Sequence, residues 1–276
     1  MKKKSMVSDW LLLIIGLIVA VIFLFPFYFS VISAFKSNGD IMKNALAFPK
    51  EFYVESFKTL WTTTNFPRAM LNSATLTVIS AALQVIIIPM AAYAIARNAN
   101  KWTNAIYVFF LCGMMVPFQV YMIPLFKQLK TFGFYGNLSG PLIVYVAGSV
   151  GFGVLLYTSF LKGIPQEIEE AAQIDGCSRV GIYWKIIFPL LGPCTASMVV
   201  LNGLAVWNDF LMPMLVLPND KPQTIMVEIY KNVGEFASRW DMIFAGTFIS
   251  IIPILIIFLL LQKYFVKGIA SGATKG

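Results

Sequence analysis

Few residues in this chain of 276 could do chemistry, and they gather in two places. The first is EEAAQIDGCSRVGIYWKIIFP, residues 169–189, where carboxylates, an Asp-Gly turn and an arginine interrupt an otherwise apolar region. The second is Trp207-Asn208-Asp209, inside the apolar run around VWNDF. Histidine is absent, which removes the commonest general base and the commonest pH switch. Cys112, Cys177 and Cys194 have no CxxC spacing, so the sequence offers no zinc site built from Cys and His. A GxxxxGK[ST] phosphate loop is also missing. The glycine clusters GSVGFG at 148–153 and GIASGATKG at the C-terminus lack that pattern, and close helix packing accounts for the first. The expectation is a chain that is not an enzyme, with no metal and no cofactor of its own.

The elements that position these residues belong to a membrane. Hydrophobic residues make up 58% of the chain and charged ones 12%, against about 25% charged in a soluble domain. The mean hydropathy is +0.76. The net charge of +8 comes from lysines and arginines scattered over the ends of apolar runs, as membrane-flanking anchors are, so nucleic acid is not an expected partner. A span needs about 20 mostly apolar residues. Six runs qualify: Trp10–Ala34, Leu71–Ala96, Asn104–Leu125, Leu138–Leu161, Ile186–Leu217 and Met242–Phe265. The first is longer than the apolar part of a signal peptide and no clean A-x-A site follows it, so it reads as a retained span. Pro189 and Pro193 mark an irregular start to the fifth.

The fold class expected is therefore an all-α membrane protein with six transmembrane helices. Positive charges divide almost evenly between the two sides. Lys2, Lys3 and Lys4 beside the first span and the short Arg97–Lys101 turn favour both termini inside. That places 163–189 in the cytoplasm. The domain reading is 1–70 for the N-terminus, first span and an outer interfacial segment, and 71–276 for a five-span core that includes 163–189. In the outer segment, Val54, Phe57, Leu60 and Trp61 fall at helical spacing, which suits a helix in the interface plane or one capping the bundle. The outer segment 218–241 is polar and opens with a turn at Pro218-Asn219-Asp220.

Residues 163–189 read as two short helices around a turn. Pro165 suits a first helical position, and Glu167, Glu169 and Glu170 then sit near the positive end of the helix dipole. Ile168, Ala171, Ala172 and Asp175 share a face. Gly176 stands where a helix-ending glycine is expected, and Ser178 can cap the next helix. There Val180, Tyr183, Trp184 and Ile187 recur with helical period before Phe188-Pro189 ends the element. Such an ordered polar hairpin either docks to a partner or packs on its own bundle.

A resemblance bears on that choice. Glu170-Ala171-Ala172, Gly176, Ile186, Phe188 and Pro189 match the EAA loop of ATP-binding-cassette importer permeases at every spacing, with Phe188 where leucine is usual. LNSATLTVISAALQVIIIPMAAYAIAR resembles the second span of the small maltose-type permease subunit. MMVPFQVYMIPLF, GIPQEIEEAAQIDG, WNDFLMPMLVL and KYFVKGIASGATKG resemble the carbohydrate-uptake branch, so the likeness covers about residues 10–276. Within that branch, raffinose and multiple-sugar permeases look most similar.

The resemblance implies an oligosaccharide importer of a bacterial cell membrane. Its partners would be a second permease subunit forming a heterodimer, two cytoplasmic ATPases that bind ATP and magnesium, an external solute-binding protein and membrane lipid. It also implies that the EAA hairpin sits in a cleft of one ATPase. Glu170, Ala171, Ala172, Asp175, Gly176, Ile186 and Pro189 would be the coupling residues, with Glu170 paired to a basic residue there. Gly176 would set the hairpin angle, and Lys267 and Lys275 in the tail are further contact candidates. Closure of the ATPases would then rotate the spans between inward- and outward-facing states.

For the path, an ionisable residue at membrane depth marks Asp209 as functional. Trp207 offers a stacking face to a sugar, and Asn208 offers donor and acceptor groups. Asn72, Gln119 and Tyr121 are candidates of the same kind. The alternative is that Asn208 and Asp209 hold helices together at the permease interface. Other classes fit less. An ion-coupled secondary transporter wants several midplane carboxylates or internal repeats. A membrane enzyme wants a catalytic polar cluster in the spans. An importer for glycerol 3-phosphate or a polyamine wants a complementary charge in the path.

Overall fold

The computed structural model describes residues 6–221 and 223–273, and every regular element among them is helical. In chain order these are α1 Met6–Ala34, α2 Asn38–Lys43, α3 Glu55–Thr63, α4 Phe66–Arg97, α5 Lys101–Met114, α6 Phe118–Thr131, α7 Ser139–Leu161, α8 Glu167–Ile174 and α9 Arg179–Ile182. A π-helical turn follows at Tyr183–Ile187, then α10 Phe188–Leu190, α11 Gly192–Trp207, α12 Leu211–Val216, α13 Ile225–Tyr230 and α14 Trp240–Ala273. Helices suit this composition because a helix satisfies its own backbone polar groups where no water can.

Four helical stretches among the described residues are long and apolar enough to cross a bilayer: Trp10–Ala34, Phe66–Arg97, Ser139–Leu161 and Trp240–Ile257. Two bent pairs raise the number to six if each counts as one span. The stretch expected as one helix over Asn104–Leu125 is the first pair, α5 and α6, bent by 101°. The break falls at Met115–Pro117. Proline has no N–H to donate and pushes the preceding Val116 out of the helical region. The fifth expected run, Ile186–Leu217, is also not one helix. The segments Arg179–Leu190 and Gly192–Trp207 meet at 70°, at Leu191 between Pro189 and Pro193. Asn208–Phe210 then separates α11 from α12.

The chain forms two compact units. The first combines residues up to Pro67 with Glu228–Pro253. Here α3 buries Ser56 and Leu60, while Trp61 and Val54 stay exposed. Ser56 Oγ donates to Asp241 Oδ2 at 2.8 Å, and the Phe57 ring lies 5.2 Å from Phe35. Lys36 is buried, with its Nζ donating to the carbonyls of Asn44 and Ala45. Burial draws its pKa below the ordinary lysine range, against the opposing pull of Asp40. Along α1, residues 10–31 are exposed or half-buried within the chain, and Ile32, Ser33 and Ala34 are buried.

The second unit spans Arg68–Val227 with Ile254 onward. Its main core joins Ile88 and Ala92 of α4, Val154, Tyr157 and Leu161 of α7, Ala172 of α8, Ile182, Ile187 and Leu191, and Cys194 and Met198 of α11. Lipid is as apolar as these side chains, so close packing rather than water exclusion holds such helices together. Glycines permit it. A Cβ on Gly151 would meet the Phe110 carbonyl at 2.7 Å, and one on Gly153 would meet Ile88 and Met198 at 2.7 Å. The GSVGFG run thus lets α7 approach α5, α4 and α11, as expected from its small residues.

Candidate functional site

The polar hairpin is built by local chemistry at its turn. Helix α8 ends in a Schellman motif: Cys177 N–H donates to the Ala172 carbonyl at 2.9 Å and Gly176 N–H to Gln173 at 3.0 Å. Gly176 has φ +80°, a region that glycine enters without penalty. Ser178 then caps α9, its Oγ accepting from the Gly181 N–H at 3.2 Å. Glu167, Glu169 and Glu170 occupy the first turn of α8, near the positive end of its dipole.

Two local details differ from expectation. Gln166 is the N-cap of α8, so Pro165 lies just outside the helix and not at its first position. The second helix does not stop at Phe188-Pro189. It passes through the π-turn into α10 and reaches Leu190. The extra residue in that turn changes the buried phase. Ile182, Tyr183, Ile187 and Leu191 face the core, while Val180 is 68% exposed and Trp184 is 39% exposed. A strict 3.6 period does not anticipate this rotation.

The two adjacent glutamates have opposite fates. Glu169 is buried, and Glu170 is exposed. Glu169 Oε1 accepts from Arg97 Nε at 2.6 Å, and its Oε2 accepts from the Tyr93 hydroxyl at 2.5 Å. Arg97 Nη2 also donates to the Ile164 carbonyl at 3.1 Å. Removing one partner of such a buried pair strands a charge, which costs about 3–5 kcal/mol. With Glu169 turned inward, α8 buries Glu169 and Ala172, and Ile168, Ala171 and Asp175 lie on the open side. The face expected to share Ile168, Ala171, Ala172 and Asp175 is therefore split. Ile186 is half-buried and Pro189 is exposed. Beside the ion pair, a cavity of about 320 Å³ is lined by Tyr93, Arg97, Glu169, Glu170, Gln173 and Arg179.

The second place forms around Asp209. Its Oδ2 accepts from the Tyr145 hydroxyl at 2.8 Å, and its Oδ1 accepts from Leu211 N–H at 3.0 Å, which starts α12. A cavity of about 520 Å³ is lined by Tyr121, Tyr145, Ser149, Asn202, Asn208 and Asp209 among others. Three of the expected path residues, Tyr121, Asn208 and Asp209, are thus brought together. The other three are elsewhere. Trp207 is 4% exposed, packed inside the chain with no face open to a ligand. Asn72 is buried, with its Nδ2 donating to the Gln223 carbonyl at 3.0 Å. Gln119 is exposed outside the cavity lining.

Arg97, Tyr145 and Asn202 were not singled out in the sequence. Arg97 reads there as one more charge at a span end. An arginine closing an apolar run and a second glutamate beside the matched Glu170 were the available signals. The side chains of residues 261–276 lie outside the described residues, and so do the contacts considered for Lys267 and Lys275. Among the described residues, no group of three or more His, Cys, Asp or Glu could hold a metal ion.

Membrane-length helices, broken helices around a largely apolar cavity that holds Asp209, and a capped hairpin on the same core define an all-helical membrane protein. The comparisons narrow this. The chain belongs to the binding-protein-dependent transport system inner membrane component family, which it matches over residues 85–271. It is 36% identical over 273 residues to the probable starch degradation products transport system permease protein AmyC of Thermoanaerobacterium thermosulfurigenes, covering 99% of each chain. It is 34% identical to the multiple sugar-binding transport system permease protein MsmG of Streptococcus mutans, covering 100% of each chain. A solved chain from a bacterial ABC transporter that imports the acidic polysaccharide alginate shares the fold, with a TM-score of 0.83 at 23% identity, covering 96% of this chain and 100% of that one. The protein is an ABC importer permease subunit.

Proposed function

We propose that this permease carries neutral oligosaccharides inward across a bacterial plasma membrane as one half of a heterodimeric path. In this reading it has six spans with both termini in the cytoplasm, each bent helix pair counting as one span. The hairpin at 163–189 docks into one of two cytoplasmic ATPases. Those partners bind the ATP and magnesium, and an external binding protein delivers the sugar. The observation that carries the coupling reading is the division of labour on α8. Glu169 fastens the helix to its own bundle, so the exposed Glu170, Ala171 and Asp175 are left for a partner.

The substrate class rests on relatives and on the cavity. The curated relatives include permeases named for starch degradation products and for multiple sugars, as well as the melibiose/raffinose/stachyose import permease MelC of Bacillus subtilis, 31% identical. Asp209 is the one charged residue lining the 520 Å³ cavity, where Tyr121, Tyr145, Ser149, Asn202 and Asn208 add phenol, hydroxyl and amide groups to a mostly apolar wall with the rings of Phe118 and Phe152. Such a lining suits a hydroxyl-rich neutral solute, while a carboxylate disfavours an anion such as glycerol 3-phosphate.

The test is ATP hydrolysis by the reconstituted complex with its binding protein. Raffinose, melibiose, maltotriose and glycerol 3-phosphate are compared, with wild type beside Glu170→Lys. Stimulation by an oligosaccharide, lost together with the bound ATPase in Glu170→Lys, is expected. Stimulation by glycerol 3-phosphate alone would overturn the substrate class. An ATPase still held by Glu170→Lys would overturn the docking face.

A further inference from the structure

Three helices surround the hairpin, and they are joined to it in different ways. The chain itself joins two of them: α7 runs into α8 through Lys162–Gln166, and α10 leads into α11 through Leu191. Helix α4 has no such connection, since Arg97 and Glu169 stand 72 residues apart in sequence. What ties α4 to α8 is side-chain chemistry. One guanidinium grips Glu169 on α8 and the Ile164 carbonyl just before it. Tyr93, one turn back along α4, holds the other carboxylate oxygen. Both members of the ion pair are nearly out of water, their side chains 12% and 10% exposed. One turn further along α8, Ala172 enters the core cluster that includes Ala92 and Ile88 of α4.

We propose that Arg97 and Glu169 are positioning residues that make α4 and α8 one rigid body, so that displacement of the hairpin carries α4 with it. The inference rests on the docking reading of the hairpin and adds how force leaves it. Helix α8 has eight residues, too few to hold an orientation alone. Its outer side is exposed at Ile168, Glu170, Ala171 and Ile174. A push on that side therefore passes to α4 through the buried side, where Glu169 is the charged group. Tyr93 keeps the carboxylate aligned, and the two-point grip of Arg97 resists rotation of α8 about its axis. A lysine ends in a single nitrogen on a flexible stem and lacks the rigid planar fork that spans the Glu169 carboxylate and the Ile164 carbonyl.

The experiment uses the whole complex in lipid: this chain, its partner permease, the ATPase pair and the binding protein. Exposed Cys112 and Cys177 are replaced by serine, and spin labels are placed at Asn98→Cys beside the end of α4 and Gln173→Cys on α8. The distance between labels is read without nucleotide and with ATP and magnesium. With the ion pair intact, one narrow distance, unchanged by ATP, is expected. In Glu169→Ala the distribution broadens and shifts when ATP is added, while the ATPase stays bound because Glu170 is untouched. Arg97→Lys gives a smaller shift of the same kind. The exchanged pair Arg97→Glu with Glu169→Arg narrows the distribution again, which a merely space-filling role for either residue does not predict. An ATP-dependent distance with the pair intact overturns the proposal, and so does a distance in Glu169→Ala that stays narrow and fixed. ATPase retention by Glu170→Lys is scored separately, so a failure of the docking reading is distinguishable from a failure of the rigid body.

Discussion

Replacing Gly176 isolates a backbone effect. Its φ of +80° lies in the left-handed region, where an L side chain costs about 1–2 kcal/mol. Nothing lies within 4 Å of the position a Cβ would take, so no steric clash adds to that cost. The penalty falls on the Schellman turn, whose two hydrogen bonds end α8 and aim the chain at Ser178. A loss of 1–2 kcal/mol lowers the local closed-to-open ratio by roughly 5–30-fold. Amide hydrogen exchange reads this directly, because local opening has its own free energy. In the permease pair without its ATPase, Gly176→Ala is expected to speed exchange across 167–182 by that factor and to leave the middle of α7 unchanged. Gly176→Asn should cost less, since asparagine tolerates this conformation. Gly176→Leu should match Gly176→Ala, because the site is open. Protection unchanged in Gly176→Ala would refute the backbone argument, and a much larger loss in Gly176→Leu would show a contact that the structure lacks.

Two further predictions separate packing from path. Trp207→Ala should lower the thermal stability of the permease pair by about 3–5 kcal/mol, the usual range for a buried tryptophan, with uptake per folded molecule retained. Lost uptake at unchanged stability would place Trp207 on the path after all. Asp209→Asn keeps one carbonyl oxygen to accept from Leu211 N–H, puts an NH2 donor where Oδ2 accepts from the Tyr145 hydroxyl, and removes the charge. If a sugar hydroxyl also donates to this carboxylate, the loss is about 1 kcal/mol, roughly a fivefold rise in the KM for uptake. An unchanged KM would assign Asp209 to helix packing alone.

The sequence by itself determined what depends on neighbouring residues and on solvent. Low charge and long apolar runs required a membrane, because nothing else can cover that surface. Pro117 required a break after α5, although reading Asn104–Leu125 as one span overlooked it. Gly176 and Ser178 required a helix stop and a helix start, since glycine conformation and hydroxyl capping act within a few residues. The EAA spacing named the family for the same reason, being a pattern held within a single hairpin.

Tertiary structure decided what depends on partners far along the chain. Glu169 and Glu170 are chemically identical, and Arg97 and Tyr93, distant in sequence, make one an anchor while the other stays exposed. Asp209 takes its meaning from Tyr145, 64 residues away. Trp207 could have faced a sugar or the core, and the fold placed it in the core. The π-turn at Tyr183–Ile187 rotated the buried face of the second helix, which no fixed period encodes. Local chemistry set where helices begin and end. Which side chains share a buried space was set by packing, because that depends on every helix at once.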